Sequence, residues 1–200
     1  MSPLAATADE QLMRAYATGQ AAAFETLYDR HSARVWRYIL RSTGDAAAAD
    51  DLAQEVWFSV AREAGRYAPR ASAPDLPLAR FTTWLFTLAR HRVIDHLRAR
   101  RPQASLDAPV GEGDDTLADT LAAPSGFGPL RRIETRQQAA QLLAALAELP
   151  TEQREAFLLQ AEADMSVADI ADATGVPFET AKSRLRYARA SLRQHLKEFV

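Results

Sequence analysis

The segment from residue 102 to residue 130 constrains the fold of this chain more than any other feature. It contains four prolines and four glycines, which is half of all the glycines in the sequence. Proline removes a backbone donor and fixes φ, and glycine adds backbone entropy, so helices and strands are disfavoured there. The segment also carries five carboxylates and no basic residue. We therefore predict a flexible acidic linker over 102–130 that joins two small domains, 9–101 and 131–200.

The two flanking parts have a composition that favours an all-α protein. They are rich in Ala, Leu and Arg, they show helical periodicity, and they contain almost no β-branched runs. In the first part, helices are predicted near 8–18, 20–42, 46–66 and 80–100, with a proline-containing loop at 68–79. In the second part, helices are predicted near 132–148, 151–162, 166–173 and 177–197.

Residues at the predicted helix ends support these bounds. Gly19 and Gly44 fall at breaks between helices, where a backbone without a Cβ atom is favoured. Asp9 and Asp45 are predicted to lie at or next to N-caps, because a carboxylate can accept hydrogen bonds from the free N–H groups of a first helical turn. Thr151 is predicted to cap the helix that follows it.

Composition excludes several classes of protein. The chain has no cysteine, so a disulfide scaffold, a thiolate zinc site and a cysteine nucleophile are excluded. Hydrophobic residues make up 48% of the chain, which is enough to build packed cores. Because the sequence has no run of 18 apolar residues and no signal-like N-terminus, we expect a cytoplasmic protein without membrane insertion. We expect no cofactor.

The charges are distributed unevenly along the chain. The net charge is only −2, which by itself argues against a nucleic-acid partner. However, residues 90–101 contain five arginines and one acid, and residues 178–197 contain six basic residues and one acid. Two basic patches separated by an acidic segment indicate binding to a polyanion more than an ordinary solvated surface.

Residues 166–189 have the proportions of a helix-turn-helix. Ile170 and Ala171 are predicted to face the core, and the small Ala171 lets the two helices approach each other. Gly175 suits the turn, and Pro177 suits the first position of the second helix.

The second helix of this motif is predicted to carry two stripes, one apolar and one basic. A recognition helix needs this arrangement, because the basic stripe can enter the major groove while the apolar one packs on the domain. The alternative is a basic amphipathic helix at a protein surface. The apolar stripe is Ala181, Leu185, Ala188 and Leu192, and the basic stripe is Lys182, Arg186, Arg189 and Arg193.

Several motifs follow one another in an order that resembles one family. The N-terminal motifs are Gly19-x4-Phe24-x2-Leu27-Tyr28, Asp51-Leu-Ala-Gln-Glu-Val-Trp57 and Phe81-Thr-Thr-Trp-Leu85, the last continuing through Arg90-x-Arg92 to Arg98. The C-terminal motifs are Leu149-Pro-x3-Arg154-x2-Phe157 and Thr180-x-Lys-Ser-Arg-Leu185-x3-Arg189. Together they resemble the extracytoplasmic-function (ECF) group of bacterial sigma factors, and the resemblance covers nearly everything except the linker.

The resemblance implies that one N-terminal helix binds core RNA polymerase. Carboxylates and an amide beside aliphatic residues suit a partner helix that is both basic and apolar. An ordinary solvated acidic face remains the alternative. The residues that the resemblance assigns to this contact are Asp51, Leu52, Gln54 and Glu55.

The resemblance also implies that the helix after residue 80 reads and opens the −10 promoter element. Aromatic rings can stack on an unpaired base, and arginines can hold the phosphates of the displaced strand. Alternatively, Trp84 belongs to the core, and His91 stands where the family more often has Asn. The assigned residues are Phe81, Trp84, Arg90, His91, Arg92, Arg98, Arg100 and Arg101.

By the same resemblance, the C-terminal helix-turn-helix reads the −35 element. The implied function is that of a transcription initiation factor, with core polymerase and promoter DNA as partners and an anti-sigma protein as a further candidate partner. The residues assigned to −35 binding are Glu179, Thr180, Lys182, Ser183, Arg184, Arg186 and Arg189.

The sequence leaves three other functions as alternatives. A metal enzyme is disfavoured, because its candidate ligands His91, Asp95 and His96 are flanked by arginines that would repel a cation. A two-domain regulator would bind operator DNA without core polymerase. A purely protein-binding module would show no salt-dependent affinity for a promoter.

Overall fold

The computed structural model of this chain describes residues 3–67, 80–100 and 136–197. The predicted linker 102–130, the predicted loop 68–79 and Arg101 lie outside these ranges. Within them the regular structure is entirely helical, so the all-α prediction is confirmed there. The α-helices are α1 (Asp9–Ala17), α2 (Ala21–Thr43), α3 (Ala46–Glu63), α4 (Phe81–Arg100), α5 (Arg136–Ala147), α6 (Thr151–Ala163), α7 (Val167–Thr174) and α8 (Phe178–Lys197), and Pro3–Ala6 and Ala64–Arg66 form 3-10 helices.

Several helix ends form as their residues predict. The Asp45 side chain caps α3 by accepting a hydrogen bond from the Ala48 N–H at 3.1 Å. Gly44 and Gly175 end α2 and α7 in the left-handed conformation, with φ of 70° and 68°. In this region of φ most L side chains are strained, so glycine is favoured at both turns.

Asp9 and Thr151 lie next to the N-caps of their helices but do not cap them. Ala8 occupies the N-cap of α1, and the Asp9 carboxylate instead pairs with Arg30 and hydrogen-bonds His31 at 2.7 Å, which ties α1 to α2. Burial would raise the pKa of Asp9, but the contacts with His31 and Arg30 outweigh it and lower that pKa. Pro150, not Thr151, precedes the first residue of α6.

α1, α3 and α4 pack around α2. Its stripe of Leu27, Val35, Tyr38 and Ile39 is at most 1% exposed. The sequence predicts one apolar stripe on this helix, and for Tyr28, which is 45% exposed, that prediction is wrong. The predicted stripe is Phe24, Leu27, Tyr28, Val35, Tyr38 and Ile39. α2 contacts α1, α3 and α4, and its central position sets where the surfaces of these helices point.

The C-terminal helices form the predicted helix-turn-helix. The apolar stripe of α8 (Ala181, Leu185, Ala188 and Leu192) is at most 3% exposed, and Ile170 and Ala171 of α7 are buried. α8 packs on α5, α6 and α7. Pro177 lies just before α8, and its carbonyl oxygen accepts a hydrogen bond from the Ala181 N–H at 3.1 Å.

The two helical groups contact each other directly. α6 packs against α2 and α4, and the buried apolar residues of both groups belong to one continuous cluster. The sequence gives no sign of this contact, because it joins residues far apart along the chain, such as Arg37 and Glu162, which are 125 positions apart. Among the described helices, none has both the length and the apolar character needed to cross a bilayer.

The α3 cap gives a direct test of this fold. Replacement of Asp45 by Ala should lower the free energy of unfolding by about 1 kcal/mol, because the N–H of Ala48 loses its acceptor. Denaturant titration of D45A would measure the loss. Asn also accepts this hydrogen bond, so D45N should stay close to the wild type; equal losses in both variants would contradict the capping role.

This stabilisation should also depend on pH. The hydrogen bond from Ala48 and the contact with Arg100 lower the pKa of Asp45 below its ordinary value. A group whose pKa is lower in the folded state stabilises that state at neutral pH and stops doing so as the pH falls through the lowered value. The difference between the wild type and D45A should therefore shrink in acid.

Candidate partner and nucleic-acid interfaces

An open groove of about 820 Å³ lies between α2 and α3. Its walls combine aromatic rings with carboxylate and amide groups. Asp51 and Gln54 are exposed and line it, and so does Phe58, whose side chain is 65% exposed. The lining residues are Phe24, Tyr28, Ser32, Ala33, Trp36, Asp50, Asp51, Ala53, Gln54, Trp57, Phe58 and Ala61.

Aromatic rings packed against one another form the apolar base of this groove. The Trp57 ring lies 5.0 Å from the Tyr28 ring and 5.7 Å from the Phe24 ring, the latter edge to face. At the rim, the Trp36 indole N–H donates a hydrogen bond to Asp50 at 2.7 Å. An exposed apolar surface rimmed by acids is typical of a docking site for a helix that is apolar and basic.

The residues predicted to bind polymerase do not all face this groove. Asp51 and Gln54 do, whereas Glu55 is exposed and lies 3.6 Å from the Arg92 guanidinium of α4. Leu52 is only 7% exposed, because its side chain packs into the core. The prediction of a direct contact through Leu52 is therefore corrected.

Sequence reasoning assigned none of the five aromatic residues of the groove to partner binding. Phe58 was not considered, although it follows Gln54 by four residues and so lies one turn further along the same side of α3. Tyr28 was interpreted as core. An aromatic residue at i+4 from a predicted contact residue was the signal that could have found Phe58.

The first turn of α4 is anchored by residues from other helices. The Phe81 backbone N–H donates a 2.8 Å hydrogen bond to the Glu10 carboxylate of α1. The Phe81 side chain is fully buried against His31 and Tyr67, so the prediction that it stacks on a base is corrected. Burial raises the pKa of Tyr67 to about 12, so its hydroxyl stays protonated at neutral pH. Trp84 is partly exposed and contacts the Tyr67 ring at 5.1 Å.

The cationic residues of α4 that are predicted to contact the −10 element differ in how accessible their side chains are. His91 and Arg98 are exposed, and Arg101 lies outside the described residues. The Arg92 guanidinium donates to Ser59 at 2.9 Å, and the Arg100 guanidinium donates to Asp45 at 2.9 Å.

Arg90 is the least accessible of these cations. Its guanidinium donates a 2.9 Å hydrogen bond to Glu155 of α6, and its side chain is only 14% exposed. In this arrangement α6 therefore covers Arg90, one of the residues predicted to contact DNA.

The basic stripe of α8 faces solvent. Lys182, Arg186, Arg189 and Arg193 are all exposed. The Arg186 guanidinium lies over the Tyr187 ring, 4.8 Å from its centroid, and Lys182 pairs with Glu179 at 3.4 Å. The remaining predicted contacts, Thr180, Ser183 and Arg184, are partly exposed at the start of the helix. Such a helix can present cations and hydroxyls to a groove of duplex DNA.

Other charged clusters give no support to a metal enzyme. Within the described ranges, no three His, Asp or Glu side chains come together in a way that could hold a metal ion. His91 and Asp95 both point into solvent on α4.

Comparison with protein families finds two matches in this chain. Residues 27–103 match the model of Sigma-70 region 2, and residues 139–192 match the model of Sigma-70, region 4. The first match covers α2, α3 and α4, which carry the groove and the first basic patch. The second covers most of α5 and the helix-turn-helix.

Named relatives give the same result. The chain is 34% identical over 182 residues to the ECF RNA polymerase sigma factor SigL of Mycobacterium tuberculosis, which covers 91% of this chain and 93% of SigL. It is 34% identical over 179 residues to the ECF RNA polymerase sigma factor RpoE of Cereibacter sphaeroides, covering 88% and 87% of the two chains. It is 33% identical over 187 residues to the RNA polymerase sigma factor CarQ of Myxococcus xanthus, covering 93% and 96%.

Solved structures share the fold. CnrH in complex with the cytosolic domain of CnrY matches with a TM-score of 0.62 and 24% identity, over 95% of this chain and 97% of that one. The sigma factor RpoE in complex with the anti-sigma factor NepR from Bartonella quintana matches with a TM-score of 0.62 and 21% identity, over 87% and 96%.

These matches decide between the alternatives raised by the sequence. An operator-binding regulator is not favoured, because the relatives that span nearly the whole chain are sigma factors. Two sigma-70 regions match in the expected order, and their helices carry the groove and the basic stripes described above. The chain therefore belongs to the ECF group of the sigma-70 family of RNA polymerase sigma factors.

Proposed function

We propose that this chain binds core RNA polymerase through the α2–α3 groove, opens the −10 element with α4 and reads the −35 element with α8. The N-terminal domain, 9–101, performs the first two tasks, and the C-terminal domain, 131–200, performs the third. The proposal rests on two features seen together in one chain. One is the aromatic groove with its acidic and amide rim, and the other is the solvent-facing basic stripe of α8. The chain acts in the cytoplasm and makes or breaks no covalent bond.

Transcription in vitro with purified core polymerase and a promoter library tests this function as a whole. The chain should direct initiation from a subset of promoters that share two sequence elements. A folded chain that directs no initiation with core would refute the proposal, whereas operator binding without core would support the regulator alternative.

The groove suits a helix of the polymerase for physical reasons. Phe58 exposes most of its ring, and burial of an aromatic side chain on association contributes much of an interface's free energy. Asp51 and Gln54 at the rim can pair with basic and polar groups of the partner. An anti-sigma protein would compete for the same groove, and we propose such a protein as a further partner.

Replacement of Phe58 by Ala should weaken binding to core polymerase at least tenfold, because the groove loses its most exposed ring. Fluorescence anisotropy of labelled chain titrated with core would measure the change. The matched control is F178A, since Phe178 on α8 is also half-exposed and lies far along the chain from the groove. Equal losses in the two variants would argue against the groove.

α4 combines a partly exposed indole with cations. We propose that Trp84 stacks on an unpaired base of the −10 element and that His91, Arg92, Arg98, Arg100 and Arg101 contact the opened strand. Capture of unpaired bases shifts the duplex equilibrium toward the open form without hydrolysis. Phe81 contributes indirectly, because its buried ring supports the Trp84 ring at 5.9 Å.

Removal of the Trp84 ring should reduce promoter opening. A lost stacking contact costs about 1–3 kcal/mol, so W84A should lower open-complex formation on duplex promoter by roughly 5–150-fold. Permanganate reactivity of −10 thymines would measure opening. On a template that is already unpaired at −10, W84A should start transcription much closer to the wild-type rate, and W84F should regain part of the activity on duplex. If the defect were equal on both templates, a melting role would be excluded.

α8 is proposed to read the −35 element through its N-terminal half. Arginine can donate two hydrogen bonds to the major-groove edge of guanine, and Arg186 presents an exposed guanidinium there. One or two turns earlier lie Lys182, Ser183 and Thr180, whose side chains can contact the phosphates of the DNA. Glu179, Arg184 and Arg189 are proposed to complete this contact set.

Replacement of Arg186 by Ala should weaken the binding of the holoenzyme to promoters with a −35 element by about 1–3 kcal/mol, and transcription from them should fall accordingly. Core binding should not change. R193A is the matched control, since Arg193 is exposed on the same helix but two turns further on. Promoter binding by the assembled holoenzyme would measure both variants. A loss of core affinity in R186A, or an equal loss of promoter affinity in R193A, would contradict the assignment. Q54A should show the reverse pattern, with weaker core binding.

A further inference from the structure

Tyr187 is an exposed aromatic residue in the middle of α8, and none of the sequence motifs assigns it a role. Its side chain is 54% exposed, so it adds little to the core of the domain. The Arg186 guanidinium lies over its ring, 4.8 Å from the ring centroid. In addition, Arg186 Nη2 donates a hydrogen bond to the Tyr187 hydroxyl at 3.1 Å. Two contacts of different kinds therefore join these neighbouring side chains.

The pair lies on the side of α8 that faces away from the domain. Successive residues of an α-helix are turned by about 100°, so Ser183 lies opposite the middle of the buried apolar stripe of this helix. Arg186 and Tyr187 lie on either side of Ser183, one turn further along, and both are exposed. At this point the outer surface of the helix therefore consists of a guanidinium resting on an aromatic ring.

Arg186 differs from the arginines of α4 in the kind of group that it contacts. Arg90 and Arg100 pair with carboxylates, whereas within the part of the chain that the structure describes no carboxylate pairs with Arg186. Glu179, the one acid among residues 178–197, pairs with Lys182 at 3.4 Å instead. A neutral ring holds the guanidinium without cancelling its charge, so no ion pair has to break before Arg186 meets DNA.

The contacts with Tyr187 leave Arg186 able to bind a base. Stacking uses one face of the planar guanidinium, whereas hydrogen bonds to the major-groove edge of guanine lie in its plane. The guanidinium has five N–H donors, and the Tyr187 hydroxyl takes one of them. The remaining donors are enough for a bidentate contact with guanine.

A guanidinium that is already ordered binds a base more selectively than a free one. An exposed arginine loses side-chain entropy on binding, because several rotatable bonds must adopt one conformation. A neighbour that orders the side chain beforehand reduces this loss. A guanidinium held in one orientation also cannot swing to a nearby phosphate when the base is wrong. The same contact therefore raises both affinity and discrimination between bases.

We propose that Tyr187 is the positioning residue for Arg186, and that the two side chains together read one guanine of the −35 element. This inference rests on the proposed function, because it concerns how α8 discriminates between bases. Tyr187 acts through Arg186, since its ring and hydroxyl fix the guanidinium. Its loss changes base preference and leaves the fold intact, because more than half of the side chain is already exposed.

The order of the Arg186 side chain can be measured without DNA. Nuclear spin relaxation of the arginine Nε groups in the free chain should show that Arg186 is more restricted than Arg193. Arg193 is exposed on the same helix and contacts no aromatic ring of the described residues. In Y187L, Arg186 should become as mobile as Arg193. Equal mobility of the two arginines in the wild-type chain would overturn the inference.

Base preference is tested in the holoenzyme on a promoter drawn from the library. The position at which R186A loses its preference for guanine identifies the base that Arg186 reads. At that position, Y187L should reduce the ratio of the affinities for guanine and adenine by about two- to fivefold, the factor expected for a cation–π contact at an exposed site. Y187F keeps the ring and loses only the hydroxyl acceptor, so its ratio should lie between those of Y187L and the wild type.

Three comparisons separate positioning from a structural role. Binding of the Y187L holoenzyme to duplex without a −35 element, and the salt dependence of that binding, should stay unchanged, because Tyr187 supplies no cation. F178L removes another half-exposed ring of α8, eight residues before Arg186 and about 12 Å away along the helix, and should leave the guanine ratio unchanged. When Arg186 is already replaced by Ala, Y187L should have no further effect on this ratio.

The outcomes distinguish this inference from the proposed function. An unchanged guanine ratio in Y187L would overturn the inference. An equal effect of Y187L with and without Arg186 would also overturn it, because Tyr187 would then contact DNA by itself. If R186A lost no base preference at any position, the proposed −35 role of α8 would fail instead, and the relaxation of Arg186 in the free chain would still test its contact with Tyr187.

Discussion

The burial of α2 among the other helices is the constraint on which the α2–α3 groove and the position of α4 depend. Its apolar stripe, including Val35 and Ile39, fixes the position of α3 and α4, and the groove exists only because α2 and α3 meet at that distance. Its arginines face α6. A single long helix therefore couples the groove proposed to bind polymerase to a charged contact with α6, since neither can shift without repacking the same core.

Ion pairs and hydrogen bonds decide how accessible the arginine side chains of α4 and α2 are to another partner. Arg92 and Arg100 contact residues at their own domain's surface, while Arg90 contacts the other helical group. Exposed pairs cost little to break, because water and salt replace the partner. The buried contacts of Glu162 are different, because they break only when whole helices separate. A polyanion can therefore compete for the first kind directly and for the second only after a change in domain arrangement.

Local patterns predicted the helices and much of the candidate site. The period of apolar residues located α8 and its buried stripe, and Gly175 located the turn, because both depend on neighbours in sequence. The wrong predictions concern residues whose partners lie far along the chain: Asp9 contacts α2 rather than capping α1, and Phe81 packs against His31 instead of facing solvent. The contacts of Glu162 with Arg37 and Arg41 could not be predicted for the same reason, since no local pattern indicates which acid will meet which arginine.

The hydrogen bond between Glu10 and the Phe81 backbone has a consequence for how the N-terminus is treated. The free N–H groups at the start of α4 receive an acceptor from a residue 71 positions earlier, in the first turn of the chain's first α-helix. The first turn of α1 therefore helps to hold the start of α4, the helix proposed to open the −10 element. A change at Glu10 would loosen the position of Trp84 although Glu10 is not among the residues proposed to contact DNA.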